Sequence, residues 1–155
     1  MSSPHDFDFF HGEWQVANRR RTDFLDPESD WVEFPGTHWC RPLFDGAANI
    51  DEIDMPYLGA KGLTLRLFDV EREEWSLNWS SSRSGKLFPP VIGRFDGDRG
   101  EFYGDVTHDG KDVRVRFVWA DVSPVSAHWE QAFSVDESRT WVTNWTMDFS
   151  RPPAS

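Results

Sequence analysis

The segment Asn49-Ile50-Asp51-Glu52-Ile53-Asp54 places three carboxylates among apolar residues at strand-like spacing. Alternate side chains of a strand point to opposite faces, so Asn49, Asp51 and Ile53 share one side and Ile50, Glu52 and Asp54 the other. Unless both sides meet water, at least one carboxylate is turned inward. In an aromatic pocket such a carboxyl would be pushed upward in pKa and would serve as a general acid or base. An exposed strand beside a cationic neighbour such as Arg66 or Arg41 accounts for the same residues without any chemistry. Asp51, Glu52 and, further along the chain, Glu130 are the candidate catalytic residues.

Other reactive groups are few. Cys40, the single cysteine, stands two residues from His38, on one strand face, where an imidazole could activate a thiol; a buried inert thiol is the commoner outcome. One cysteine closes no intramolecular disulfide. The sequence holds no CxxC or HExxH motif, no histidine pair at zinc spacing and no EF-hand loop, so no metal site is expected. Haem would need an axial histidine in a dry pocket. His5, His11, His108 and His128 do not fall on an apolar strand face, and His38 alone approaches that requirement, so no haem or other cofactor is expected. Ser80-Ser81-Ser82-Arg83-Ser84-Gly85 lacks Walker spacing and reads as a flexible hairpin or lip.

The elements that position these residues are strands. Apolar residues recur with period two in short runs separated by turn chemistry, the pattern of an all-β sandwich or barrel. Strands are expected at about 13–22, 31–41, 47–54, 61–68, 75–82, 91–96, 100–107, 111–120, 125–134 and 140–149. Asp96-Gly97 and Asp109-Gly110 are tight-hairpin signals, because glycine takes positive φ without steric cost. Residues 6–11 could add one helical turn before the first strand. Residues 1–8 and 151–155 read as tails of a single domain spanning 1–155. Nine or ten hairpin-linked strands close naturally into an up-and-down barrel, since closure removes unpaired edges.

Nine Trp and thirteen Phe stand against two Tyr, and burial of indoles decides which face is inside. Trp75, Leu77, Trp79; Val113, Val115, Phe117, Trp119; Ala127, Trp129, Gln131, Phe133; and Trp141, Thr143, Trp145, Met147, Phe149 are read as interior, with Leu63, Leu65 and Leu67. The opposite faces carry Arg66, Asn78, Arg116, Glu130 and Asn144. Either these form an ordinary polar exterior with cross-strand ion pairs, or part of them lines a polar cavity or a subunit interface.

With 27 acidic and 16 basic side chains the net charge is −11, which argues against nucleic acid and anionic membrane as partners. The first residues, Met1-Ser2-Ser3-Pro4-His5-Asp6, have no basic or apolar leader pattern, and the expected location is cytoplasmic. Trp31, Phe34 and Phe44 lie where one barrel cannot easily bury every ring, so a homodimer is expected.

Gly12-Glu13-Trp14, after Phe7-Asp8-Phe9-Phe10, resembles the Gly-x-Trp opening of calycin barrels, the group of lipocalins, fatty-acid-binding proteins and nitrobindin-like proteins. That resemblance implies that Trp14 plugs the closed end, with Arg151, or else Arg139, packed over it. Phe7-Asp8-Phe9, Arg41-Pro42-Leu43, Gly62 to Asp69, Trp129 to Ser134 and Thr140 to Trp145 also resemble bacterial DUF1579-like, lipocalin-like proteins. This implies a fold and no residue roles. The expected protein is a lipocalin-like (calycin) antiparallel up-and-down barrel of nine or ten strands that binds a small, flat, largely apolar or aromatic metabolite. Trp79, Trp119, Trp129 and Trp145 would stack on the ligand, while Gln131, Thr143, Asn18 and Arg20 orient its polar atoms. The alternatives are a cofactor-independent cyclase, isomerase or lyase using one of the three carboxylates, and a structural or interaction module.

Overall fold

The computed structural model describes residues 2–153. Ten strands follow one another: β1 Gly12–Arg21, β2 Trp31–Leu43, β3 Ala48–Met55, β4 Ala60–Asp69, β5 Glu74–Ser81, β6 Val91–Asp96, β7 Arg99–His108, β8 Lys111–Ala120, β9 Ser126–Ser134 and β10 Val142–Ser150. Each pairs antiparallel with its neighbour in chain order, and β1 pairs with β10, so the sheet closes on itself. A closed sheet has no free edge to attract another chain. The turns behave as their chemistry dictates: Asp109 and Gly110 both take positive φ, +49° and +79°, as a two-residue primed hairpin requires. At Gly93 the strands β6 and β7 approach so closely that a Cβ would collide with the Glu101 carbonyl. Among the described residues, no helix is long and apolar enough to cross a membrane.

The meander sorts the loops onto two ends. The β2–β3, β4–β5, β6–β7 and β8–β9 connections lie at one end, with the N-terminal segment. That end is closed. Residues expected to form a tail instead plug it: a 3-10 turn at Asp8–Phe10 carries Phe10 inside, and Phe7, also fully buried, meets Trp75 edge-on with ring centroids 4.9 Å apart. The Trp75 indole N–H donates to Asp6 at 3.1 Å. Trp14 donates to the Phe10 carbonyl at 2.9 Å, and Arg151 lies over the Trp14 ring at 3.6 Å. The same guanidinium donates to the carbonyls of Phe9, His11, Glu13 and Pro124, tying the chain's two terminal segments together.

Two strands differ from the expected orientation. In β4 the inward residues are Gly62, Thr64, Arg66 and Phe68, paired with the inward Asn49, Asp51 and Ile53 of β3 and with Trp75, Leu77 and Trp79 of β5. Leu63, Leu65 and Leu67 therefore face outward, and Leu63 is 37% exposed. Transfer energy alone puts leucine inside; here a buried carboxylate on β3 requires Arg66 inside, and parity expels the leucines. In β10 a bulge skips Asn144: Thr143 pairs with Ala132 and Trp145 with Gln131. One extra residue reverses parity. Thr143 and Trp141 thus lie outside, where Trp141 sits under Arg116, 4.6 Å away.

The three rings read as surplus are mostly accommodated. Phe34 is buried and inward, stacked on Tyr57 at 5.0 Å. Trp31 lies beneath Arg19 and Arg21 at 4.5 and 4.2 Å. Phe44 alone of the three is largely exposed, at 75%.

Candidate functional site

The opposite end of the barrel opens into a cavity of about 350 Å³, within the range usual for small-molecule sites. Its mouth is framed by residues from alternate connections and the strand ends beside them: Phe24 between β1 and β2, Leu58 between β3 and β4, Arg83 and Phe88 between β5 and β6, and His108 at the end of β7. Four of the expected ligand-contacting tryptophans, Trp79, Trp119, Trp129 and Trp145, line it, as do Gln131 and Arg20. Asn18 is buried on the same face and accepts from the Trp145 indole at 3.1 Å. Thr143 does not line the cavity, because of the β10 bulge.

The wall is a continuous aromatic surface. Phe88 stacks on Trp79 with centroids 4.0 Å apart and planes 12° from parallel. Phe117 meets Trp129 at 5.1 Å, and Trp129 meets Trp145 at 5.9 Å, both edge-on. Near the mouth Phe24 stacks on His108 at 5.5 Å. Asn144, freed from the ladder by the bulge, accepts from Gln131 and donates to the Phe24 carbonyl. The bulge thus fixes the rim loop as well as redirecting a strand. Stacked contact at Trp79 and edge-to-face contacts at the other indoles hold the wall preorganised.

The floor is polar and gathers around one carboxylate, with His38 Nδ1, Asn49 Nδ2 and Arg66 Nε left buried without partners. Asp51 Oδ2 accepts from Arg66 Nη2 at 2.7 Å and from His38 Nε2 at 2.9 Å, and Asp51 Oδ1 accepts from the Thr64 amide at 3.0 Å. Arg66 Nη1 donates to Asn49 at 2.9 Å. Burial pushes the Asp51 carboxyl up, but the Arg66 guanidinium and then His38 more than offset it and hold it at about 2. An ionised Asp51 keeps the His38 proton on Nε2. Arg66 also lies over Phe10 and Phe7, at 5.0 and 5.2 Å, so the N-terminal plug forms the underside of this cluster.

The remaining candidates separate cleanly. Glu52 is on the outward face of β3, the face opposite Asp51. Glu130 faces outward on β9, beside His128, which is itself held between Glu130 and Asp148 at 3.3 and 2.7 Å. The hydrogen bond with Glu130, opposed by burial and aided by Asp148, raises His128 to about 9. Neither carboxylate therefore reaches the cavity. Cys40 is buried near Asn49, its thiol pushed up to about 12 by burial, with the Arg66 charge acting weakly the other way; it is no nucleophile at neutral pH. Among the described residues, no group of three His, Cys, Asp or Glu side chains converges as a metal site.

Sequence reasoning alone missed Phe24, Phe88 and Thr64, and left Arg66 open between a polar exterior and a polar cavity or interface. The usable signal was register: Asn49 and Asp51 on β3 share inward parity with Arg66 and Thr64 on β4.

No protein-family model and no curated protein matches the sequence. Among solved structures, the chain is similar to an S-type phycobiliprotein lyase from Guillardia theta, with a TM-score of 0.60 over 100% of this chain and 95% of that one, at 10% identity. Likeness at that identity shows the fold: this chain is an all-β, closed ten-stranded antiparallel barrel of the lipocalin-like, calycin type.

Proposed function

We propose that the protein binds a small, flat, largely apolar or aromatic metabolite in the barrel cavity. The observation that carries this reading is the cavity itself: about 350 Å³, open at one end, floored by a paired ionic cluster and walled by indoles already locked in place. A preorganised aromatic wall binds flat ligands through area and offset stacking without an ordering cost. The likeness to a phycobiliprotein lyase agrees with a barrel that handles small molecules, and the DUF1579-like resemblance of the sequence adds no residue roles to it.

The acid–base alternative is the less supported reading. Asp51 stays ionised against Arg66 at any ordinary pH, and Glu52 and Glu130 lie outside the barrel. A purely structural role predicts a filled interior, which the cavity opposes.

Titration with N-phenyl-1-naphthylamine, an uncharged flat dye, should quench tryptophan emission and give an affinity on the order of micromolar, as burial of two fused rings implies. Unaltered tryptophan emission with this dye and with several of different shape would overturn the binding reading.

A further inference from the structure

Three cationic side chains gather at the cavity mouth of a chain whose net charge is −11. Arg20 closes the inward face of β1, Arg83 lies in the β5–β6 connection, and Lys61, at the start of β4, has outward parity opposite Asp54; all three border the cavity. Among the described residues, none has a carboxylate oxygen within ion-pair distance, although ten such contacts occur elsewhere in the barrel. Several acidic residues at this end are otherwise occupied: Asp23 and Asp26 accept from amides of their own loop, and Asp136 from Thr140 and Ser134, while Asp54 stands opposite Lys61 on the outer face of the sheet. Asp109 turns toward His108 and solvent. Asp51 is the one carboxylate lining the cavity, and it is consumed by Arg66 and His38 at the floor.

Arg20 is held as an anchor would be. Its guanidinium lies against both the Phe24 and Trp145 rings, 4.5 and 4.8 Å from their centroids, and its Nε is buried without a hydrogen-bond acceptor. Stacking fixes the plane of a guanidinium while leaving its in-plane donors free. The indole N–H groups of Trp79 and Trp119 are likewise buried without acceptors. The uncommitted Arg20, Trp79 and Trp119 groups can only donate. A cavity supplying donors and uncompensated positive charge is complementary to a ligand that supplies acceptors and negative charge.

We propose that the ligand is an amphiphilic organic anion, a flat apolar body carrying a carboxylate, which enters body-first and leaves its carboxylate at the mouth between Arg20 and Arg83. This rests on the cavity-binding reading and adds to it a charge and an orientation. The reverse orientation is disfavoured, because the two terminal nitrogens of Arg66 are already paired with Asp51 and Asn49, leaving only its Nε free.

The test uses two dyes with one body: 8-anilinonaphthalene-1-sulfonate, an anion, and N-phenyl-1-naphthylamine, its uncharged counterpart. The variants are Arg20→Gln, Arg20→Lys and Arg83→Gln, the last at an exposed rim residue that also donates to the Leu58 carbonyl, so its folding is checked by the unfolding midpoint. Charge-assisted contact predicts that each Gln variant loses about tenfold more affinity for the sulfonate than for the neutral dye, with Arg20→Lys keeping most of the preference. Raising salt should weaken the sulfonate selectively. Equal losses for both dyes would make Arg20 a packing residue and overturn the proposal while sparing the cavity. Binding of the neutral dye without the sulfonate would overturn this proposal alone, whereas failure of both dyes, and of others of different shape, to bind the unaltered protein would overturn the cavity reading and this proposal with it.

Discussion

Asp51 shows how one side chain can organise an interior without reacting. Its carboxyl lies well below the usual value in the folded chain, so its stabilising effect is fully present above about pH 4 and is lost as pH falls through about 2. Stability between pH 5 and 8 should therefore be indifferent to this group. Asp51→Asn should cost about 3–5 kcal/mol at pH 7, because Arg66 would be left charged and buried. The double variant Asp51→Asn/Arg66→Met should recover a large part of that loss, and urea unfolding at pH 7 checks both. If the double variant is as unstable as the sum of the singles, the ion pair is not what holds the floor. The sequence made the carboxylate visible but not its fate. Alternation announces that Asp51 and Glu52 diverge, whereas the choice between them depends on Arg66, a residue of another strand. Cys40 and His38 were legible as neighbours on one face, but not that Asp51 would claim the imidazole.

The strands themselves were legible almost to the residue, because turn chemistry marks both ends of each. Their facing was legible wherever aromatic residues dominate one side, as in β5, β8 and β9. It failed where hydrophobicity and pairing disagree. In β4 three leucines face out, so Leu63→Thr should change stability by less than about 0.5 kcal/mol, whereas Leu77→Ala on the adjacent strand, at 1% exposure, should cost about 2–5 kcal/mol. Denaturant midpoints of the two variants measure this contrast, and comparable losses would mean that β4 faces the way its composition suggests. The β10 bulge was invisible for another reason. Nothing in Thr143-Asn144-Trp145 breaks alternation; the extra residue is specified by what Asn144 bonds to, Gln131 on β9 and the Phe24 carbonyl in a distant loop.

At the scale of the whole molecule, the acidic exterior and the cationic mouth divide the charge between surface and site, and the N-terminal segment divides floor from solvent. Composition reported the first only as a net number, and the polar look of residues 1–8 concealed the second, since Phe7 is one apolar residue among charges. Phe7→Ala should destabilise the barrel by about 3–5 kcal/mol, measurable by thermal or chemical unfolding, while a true tail residue would lose nothing. The β1–β10 seam has a kinetic consequence. It joins the first strand to the last, and Arg151 adds bonds to carbonyls as far as 142 positions away. Contacts so remote in sequence form slowly, because a long loop must be ordered before they contribute. During synthesis from the N-terminus the earlier strands can form only an open, curling meander, with the edges of β1 and the newest strand unpaired and no enclosed interior. Capture of a ligand by a growing chain must therefore wait for β10, and any interruption upstream of it leaves a sheet with two adhesive edges in place of a container.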